Sequence, residues 1–138
     1  MNTATVNEIY NRNTGSQISY KRAYCDTLQY TEGIMDFQRT LNAFWFVDNI
    51  ISYMPTVIQT FRQSADPFYI IKMIVEEDKS GYIEIYREGY VNNKYSEHIQ
   101  VIKQKIPYIN LPTYEYKFYL ALSFREPILF TLLLTSEY

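Results

Sequence analysis

The sequence is poor in the residues that build metal centres and disulfide frameworks. Among its 138 residues it has one cysteine and one histidine. A single cysteine excludes an internal disulfide, and one histidine is too few for a histidine-based metal site on one chain. Four glycines and five prolines exclude collagen-like and linker-like chains. The sequence therefore predicts a protein without a metal site and without a cofactor.

Charge of either sign is also limited, and the two signs nearly balance. Thirteen Lys and Arg residues stand against fifteen Asp and Glu, giving a formal net charge of -2. This balance argues against unspecific binding to nucleic acid phosphates. The longest apolar runs, Ala43–Val47 and Ile128–Leu134, are too short to span a membrane, and the N-terminal residues lack the apolar segment of a secretory signal. We expect a soluble, cytoplasmic protein with no membrane partner.

Hydrophobic residues and tyrosine are what the sequence has in quantity. Hydrophobic residues make up 47% of the chain, which is enough for one packed core at this length. We predict a single domain over residues 1–138. The 15 tyrosines suit a recognition surface, because a tyrosine ring combines a large contact area with a polar end. Half-buried strands also favour tyrosine, so part of this excess belongs to the core.

The first half of the chain carries helical patterns. Residues 1–15 are a candidate flexible arm, and residues 16–65 form the predicted helical half, with Ser16 as the N-cap of its first helix. Apolar residues recur every three or four positions in the most hydrophobic segment, which predicts a central helix. The predicted helices are 16–28, Ile34–Arg39, Thr40–Tyr53 and a segment that begins at Pro55 and ends before Asp66-Pro67.

From Phe68 onward the hydrophobic pattern has a period of two, which predicts strands. The predicted strands are Phe68–Val75, Tyr82–Glu88, His98–Ile106, Tyr114–Phe124 and Ile128–Leu134. Gly89–Ser96 is predicted as a loop, and Arg125-Glu126-Pro127 as the last turn. The order of elements predicts an α+β fold, in which N-terminal helices pack on one face of a C-terminal antiparallel sheet of about five strands over residues 68–138.

Three sequence motifs resemble a small bacterial family of unknown function. The motifs are Tyr30-Thr31-Glu32-Gly33-Ile34, the segment Ala43–Ser52 that contains Trp45 and Asp48, and the C-terminal Ser136-Glu137-Tyr138. The resemblance extends from Asp26 to the C-terminus. The chain departs from the family pattern at Thr135, where proline is usual, in the turn 125–127 and in a longer 89–96 loop. The first fifteen residues have no counterpart.

The family that the chain resembles occurs in cyanobacteria and on plasmids, phages and conjugative elements of Bacteroidetes. It has no assigned activity, so the resemblance implies a habitat in which small proteins often block host defence nucleases. The resemblance thus implies an anti-CRISPR-like inhibitor encoded by a phage or mobile element. Its expected partner is a bacterial nuclease or ribonucleoprotein effector that is guided by RNA, in the cytoplasm of the host cell.

Groups that could support catalysis are few. Glu32 and Asp48 could act as acid and base in a small enzyme or ligand-binding domain if their surroundings separated their pKa values. A helix cap for Glu32 and a hydrogen-bonded buried acid for Asp48 are the simpler interpretations. Cys25 and His98 lie on different predicted elements, and a lone cysteine on an apolar helix face is usually a core residue. We predict a protein that is not an enzyme and has no catalytic residue.

Binding is the function that the tyrosines favour. The candidate partner-binding residues are Tyr86, Glu88, Tyr90, Lys94, Tyr95 and Tyr119. The four tyrosines among them lie off the predicted core alternation. Tyrosine together with charges of both signs is typical of protein interfaces. The residues assigned to architecture are Tyr30, Trp45, Asp48 and Tyr138. Single-stranded nucleic acid is a less favoured ligand, suggested by Lys103 and Lys105 on one strand face with aromatic residues nearby.

Overall fold

One mixed sheet organises the whole chain. The computed structural model describes residues 2–15 and 17–138. The helices are α1 (Thr3–Arg12), α2 (Glu32–Leu41), α3 (Phe44–Ser64) and a short 3₁₀ helix, Thr135–Glu137. The strands are β1 (Ser19–Tyr20), β2 (Leu28–Thr31), β3 (Phe68–Val75), β4 (Gly81–Val91), β5 (Lys94–Ile106), β6 (Tyr114–Arg125) and β7 (Ile128–Leu134). The strand order is β1-β2-β7-β6-β3-β4-β5, and only β2 and β7 pair in parallel among these described strands.

The α+β class is confirmed, but the predicted sheet of about five strands was too small, and it is mixed rather than purely antiparallel. The helices are also not confined to the N-terminal half, since a 3₁₀ helix follows β7. Of the two additional strands, β1 lies inside the segment predicted as the first helix, and β2 begins at its last residue, Leu28. The predicted cap of that helix, Ser16, lies outside the described residues. In β2, Leu28 pairs with Phe130 of β7, and Leu28 and Tyr30 are both buried. A strand of four residues gives too short an alternation to be distinguished from a helical turn.

The segment expected as a flexible arm contains helix α1. Val6 and Ile9 are fully buried in the core. The Arg12 guanidinium donates two hydrogen bonds to the carboxylate of Asp36 on α2, at 2.7 and 2.6 Å. Only these two apolar residues form the buried side of α1, and one turn of periodicity is too weak a signal to predict a helix.

Helix α3 is continuous where two helices were predicted. It has 21 residues, and Pro55 lies inside it. Proline lacks the N–H that would bond to the carbonyl four residues earlier, which usually interrupts a helix. Met54 and Val57 are buried on both sides of this position, so packing against the sheet holds the helix together. None of the helices in the described part of the chain is both long and apolar enough to cross a membrane.

All three helices pack on one face of the sheet. The Phe37 ring of α2 and the Phe46 ring of α3 both contact Phe118 of β6, with ring centroids 5.2 and 4.5 Å apart. Helix α1 reaches the same face, where the Tyr114 hydroxyl donates to the Asn7 side chain at 3.1 Å. The opposite face of the sheet carries no helix from the described residues.

The alternation that places every second residue of β6 in the core ends before the strand does. Tyr116, Phe118 and Leu120 are buried as predicted, whereas Phe124 is exposed. The register between β6 and β7 shifts between Leu122 and Phe124. A bulge of this kind reverses the side-chain direction, and the sequence pattern carries no sign of it.

Glu137 connects the C-terminal segment to the start of α2. Its carboxylate accepts hydrogen bonds from the Thr31 hydroxyl at 2.6 Å, the Gly33 N–H at 3.1 Å and the Leu134 N–H at 3.0 Å. The N–H groups and the dipole at a helix N-terminus favour such an anion. A Cβ at Gly33 would overlap this carboxylate. Two of the motifs that appeared separate in the sequence therefore form one structural joint.

We expect Glu137→Ala to lower the free energy of unfolding by about 2 kcal/mol, because it leaves buried donors unpaired. Gly33→Ala should cost a similar amount in the natural chain, since the added methyl group displaces the carboxylate. In the Glu137→Ala background the same Gly33→Ala change should cost nothing, because the space is free and alanine is the better helix former. Urea unfolding of the four proteins measures this; additive losses would contradict the joint.

The Arg12 and Asp36 contact should make stability depend on pH. Burial alone would raise the pKa of Asp36, but hydrogen bonds from Arg12, Asn13 and Thr40 hold it below its ordinary value. A lowered carboxyl pKa contributes stability above the unfolded-state value, near pH 4, and this contribution is lost as the pH falls through the folded-state value. We expect Asp36→Asn to lower Tm at pH 7 and to flatten its acid-side decline. The exposed Asp26→Asn control should keep the natural profile.

Candidate binding surface

Strands β4 and β5 extend past the rest of the sheet as a two-stranded ribbon, residues 88–97. Towards this end of the sheet β3 pairs with β4 only as far as Ile70 opposite Tyr86, whereas β4 and β5 remain paired to Val91 opposite Lys94. The prediction of a loop over Gly89–Ser96 was therefore wrong. Residues 89–91 and 94–96 are paired strands, joined by a turn at residues 92 and 93. All ribbon residues except Gly89 and Ser96 are exposed.

The ribbon turns at two asparagines. Asn92 and Asn93 have φ values of 53° and 62°. Two consecutive residues with positive φ are what a two-residue type I′ hairpin turn requires, and asparagine adopts this conformation more readily than most residues. The paired asparagines were interpreted as the tip of a loop, although two adjacent asparagines also suit a tight hairpin turn.

The ribbon displays two tyrosine rings. Tyr90 and Tyr95 are opposite one another, 72% and 49% exposed, with ring centroids 5.4 Å apart at 65°. The Tyr95 hydroxyl donates to Glu88 at 2.8 Å. This hydrogen bond to the Glu88 carboxylate is the main cause of a raised Tyr95 pKa. The rings are thus apolar contact area that is fixed in position before any partner arrives.

The face of the sheet that carries no helix from the described residues is called the open face. A cleft of about 410 Å³ lies where the ribbon meets this open face. It is lined by Ile70, Tyr86, Glu88, Glu97, His98, Lys117 and Tyr119. The Tyr86 ring stacks on His98, with centroids 4.0 Å apart and planes 16° apart. Tyr119 contacts Phe68 and Tyr138, with ring centroids 4.9 and 5.3 Å away. The walls of the cleft are therefore aromatic, with charges of both signs at the rim.

The structure places the six predicted binding residues in two adjoining groups. Glu88, Tyr90, Lys94 and Tyr95 belong to the ribbon, and Tyr86, Tyr119 and again Glu88 line the cleft. Tyr86 is only 9% exposed because His98 covers it, so it offers less surface than the sequence suggested. Tyr138, assigned to architecture, is 77% exposed. Its neighbour Glu137 makes the structural joint instead.

Sequence reasoning treated Glu84 as a solvated acid that could meet a basic groove, but it is only 5% exposed, on the face of the sheet without helices. Its carboxylate lies 2.9 Å from the His98 Nε2 atom and 3.9 Å from the Lys72 Nζ atom. The alternation placed Glu84 in an ordinary solvated row. Its burial depends on residues from two neighbouring strands, and no local pattern contains that information.

Glu32 and Asp48, the alternative acid and base, lie in different surroundings. Asp48 is exposed rather than buried, and its pKa is lowered by a hydrogen bond from Tyr24 and further by Arg22. The Arg22 guanidinium also donates to the Tyr30 hydroxyl at 2.7 Å. Glu32 lines a separate cleft of about 370 Å³, whose lining residues do not include Asp48. Arg22 thus links Tyr30 to Asp48 at the surface, where Asp48 was expected to be buried.

Cys25 and His98 also have separate partners. The Cys25 Sγ atom lies 3.5 Å from the Thr27 hydroxyl, and His98 contacts Glu84 at the far side of the sheet. Across residues 2–15 and 17–138 the structure contains no group of three or more His, Cys, Asp or Glu side chains placed to hold a metal ion.

Residues 4–138 match a family of unknown function, DUF6876. The chain belongs to this family. The DUF6876 match begins within α1, so it includes residues for which the sequence resemblance found no counterpart, and it covers the ribbon and the Glu137 joint alike. No curated protein and no solved structure matches the chain.

The conformation of the turn predicts how the ribbon responds to substitution. We expect Asn93→Val to open residues 88–97, because a β-branched residue is strained at positive φ, whereas Asn93→Gly should preserve them. Hydrogen–deuterium exchange measures the opening directly. The exchange of β6 and β7 should be unchanged in both variants, since ribbon residues 89–96 pair only with each other. Equal protection of the ribbon in the two variants would contradict the assigned turn.

Proposed function

We propose that this protein is a non-enzymatic binding protein that docks on another protein through the ribbon and the adjoining cleft. The observation that carries this proposal is the exposure of Tyr90 and Tyr95 on a paired β-ribbon that projects past the sheet. Exposed aromatic residues that are held in one conformation lose little entropy on binding, and tyrosine is enriched at the energetic centres of interfaces.

The charges around the two rings indicate the kind of surface that the ribbon fits. Glu88 and Glu97 flank the rings near the cleft, and Lys94 lies at the tip beside Tyr95. Among the described residues, the ion pairs of the protein do not include these three side chains. Their charges therefore remain available to complementary groups, and the two carboxylates favour a basic surface.

The partner that we propose is a bacterial defence nuclease, an RNA-guided ribonucleoprotein effector with a basic nucleic acid groove. This choice is supported by the resemblance to proteins of phages, plasmids and conjugative elements, and by the two carboxylates beside the exposed rings. The protein would then be an anti-CRISPR-like inhibitor acting in the host cytoplasm. By occupying the groove it would obstruct the guide or the target strand.

A plasmid-interference assay tests this function. The chain is expressed in bacteria that carry one active RNA-guided nuclease each, and transformation by a targeted plasmid is compared with transformation by an untargeted one. We expect the targeted plasmid to be rescued with at least one effector class. The purified effector should bind the chain, and Tyr90→Ser with Tyr95→Ser should weaken this binding by about 30-fold or more, because two interface tyrosines contribute several kcal/mol.

The matched control is Tyr108→Ser with Phe124→Ser, which removes two exposed rings elsewhere on the protein. Rescue that disappears in both double variants would show that the ribbon is not the docking element. Absence of rescue with every effector class, for a chain that is expressed and folded, would overturn the inhibitor proposal itself.

A further inference from the structure

The open face of the sheet carries a row of lysines that no sequence segment displays. Lys103 of β5 is opposite Glu84 of β4, Glu84 is opposite Lys72 of β3, and Lys72 is opposite Lys117 of β6. We call Lys103, Lys72 and Lys117 the lysine row. Neighbouring strands lie about 4.8 Å apart, so the row spans about 14 Å across four strands.

The only carboxylate in this row, Glu84, lies beneath its surface. Glu84 is buried and is already engaged by His98 at 2.9 Å and by Lys72 at 3.9 Å. Lys103 and Lys117 are exposed, and Lys72 is half-buried. The surface of the row is therefore positive. Lys72 and Lys117 lie directly opposite one another, an arrangement that is unfavourable for like charges unless an anion lies between them.

Aromatic side chains flank the lysine row on both sides. Tyr82 lies two residues away from Glu84 along β4, and the Lys103 Nζ atom is 4.2 Å from the centre of its ring. On the other side, Ile70 lies between Tyr86 and Tyr119 in the next cross-strand row. The ring of Tyr138, which contacts Tyr119, is largely exposed at the end of that row.

Acidic residues lie at the two ends of this face. Glu115 is opposite Ile74 at one end, and Glu88 and Glu97 lie at the base of the ribbon at the other. Lys105 adds a positive charge opposite Tyr82. Lys105 and Glu115 thus share one cross-strand row of mixed charge at that end, and the lysine row lies between this row and the acidic base of the ribbon.

From this arrangement we infer that the open face binds single-stranded nucleic acid, with phosphates on the lysine row and bases against the Tyr119 and Tyr138 rings. A positive track beside aromatic rings fits single strands, because only unstacked bases leave their faces free for the rings. The site adds a ligand class to the proposed function and shares Lys117 and Tyr119 with the cleft. It uses no ribbon tyrosine, so the two proposals can be tested separately.

Fluorescence anisotropy with labelled dT and rU oligonucleotides of twelve nucleotides tests the site. We expect binding whose logarithmic salt dependence has a slope of about -2, as three phosphate contacts require for a single strand. Lys103→Glu with Lys117→Glu should weaken binding by about tenfold or more at low salt, since it reverses two of the three contacts. The control Lys21→Glu with Arg62→Glu changes the net charge equally at positions outside the open face and should bind as the natural chain does.

The role of the rings is tested separately at Tyr138. Tyr138→Phe should retain binding and Tyr138→Ala should lose about fivefold or more, because stacking needs the ring and not the hydroxyl. Circular dichroism confirms that each variant is folded. No binding at low salt, an equal loss in the charge-matched control, or full displacement by polyglutamate would overturn the site, the last result indicating an acidic protein as the ligand. The Tyr90→Ser and Tyr95→Ser variant should bind oligonucleotides normally, which separates this test from that of the proposed function.

Discussion

The carboxylate of Glu137 fixes the geometry on which the rest of the molecule depends. It receives donors from the end of β2, the start of α2 and the end of β7. Hydrogen bonds to a charged acceptor are stronger than neutral ones, and here they act where three elements meet. The same joint places Tyr138 on the open face beside Tyr119. Core architecture and candidate surface are therefore coupled through one side chain.

Elements that bury a long regular face were predictable from the sequence, and short elements were not. Strand β3 alternates buried and half-buried residues over its whole length, and Phe68–Val75 was predicted with its observed bounds. Helix α1 and strands β1 and β2 bury few residues each, and β2 pairs with a strand at the far end of the chain. Their formation depends on tertiary contacts such as Leu28 with Phe130, which local periodicity does not record.

The candidate surface was predictable only in part, for a related reason. Tyr90 and Tyr95 were predicted to be exposed because they break the core alternation, and the structure confirms their exposure. The lysine row could not be predicted, since it joins residues of three strands and depends on three registers at once. Burial of Tyr86 under His98 has the same origin, because the two residues come from different strands.

The parallel pairing of β2 with β7 has a consequence for how the chain acquires its structure. More than a hundred residues separate Leu28 from its partner Phe130, and helices α2 and α3 and strands β3 to β6 lie between them. Closing such a long loop is entropically costly, so this edge of the sheet forms late. During synthesis β2 can complete its pairing only after β7 has left the ribosome. Until then the buried sides of Leu28 and Tyr30 are open to solvent and to chaperones.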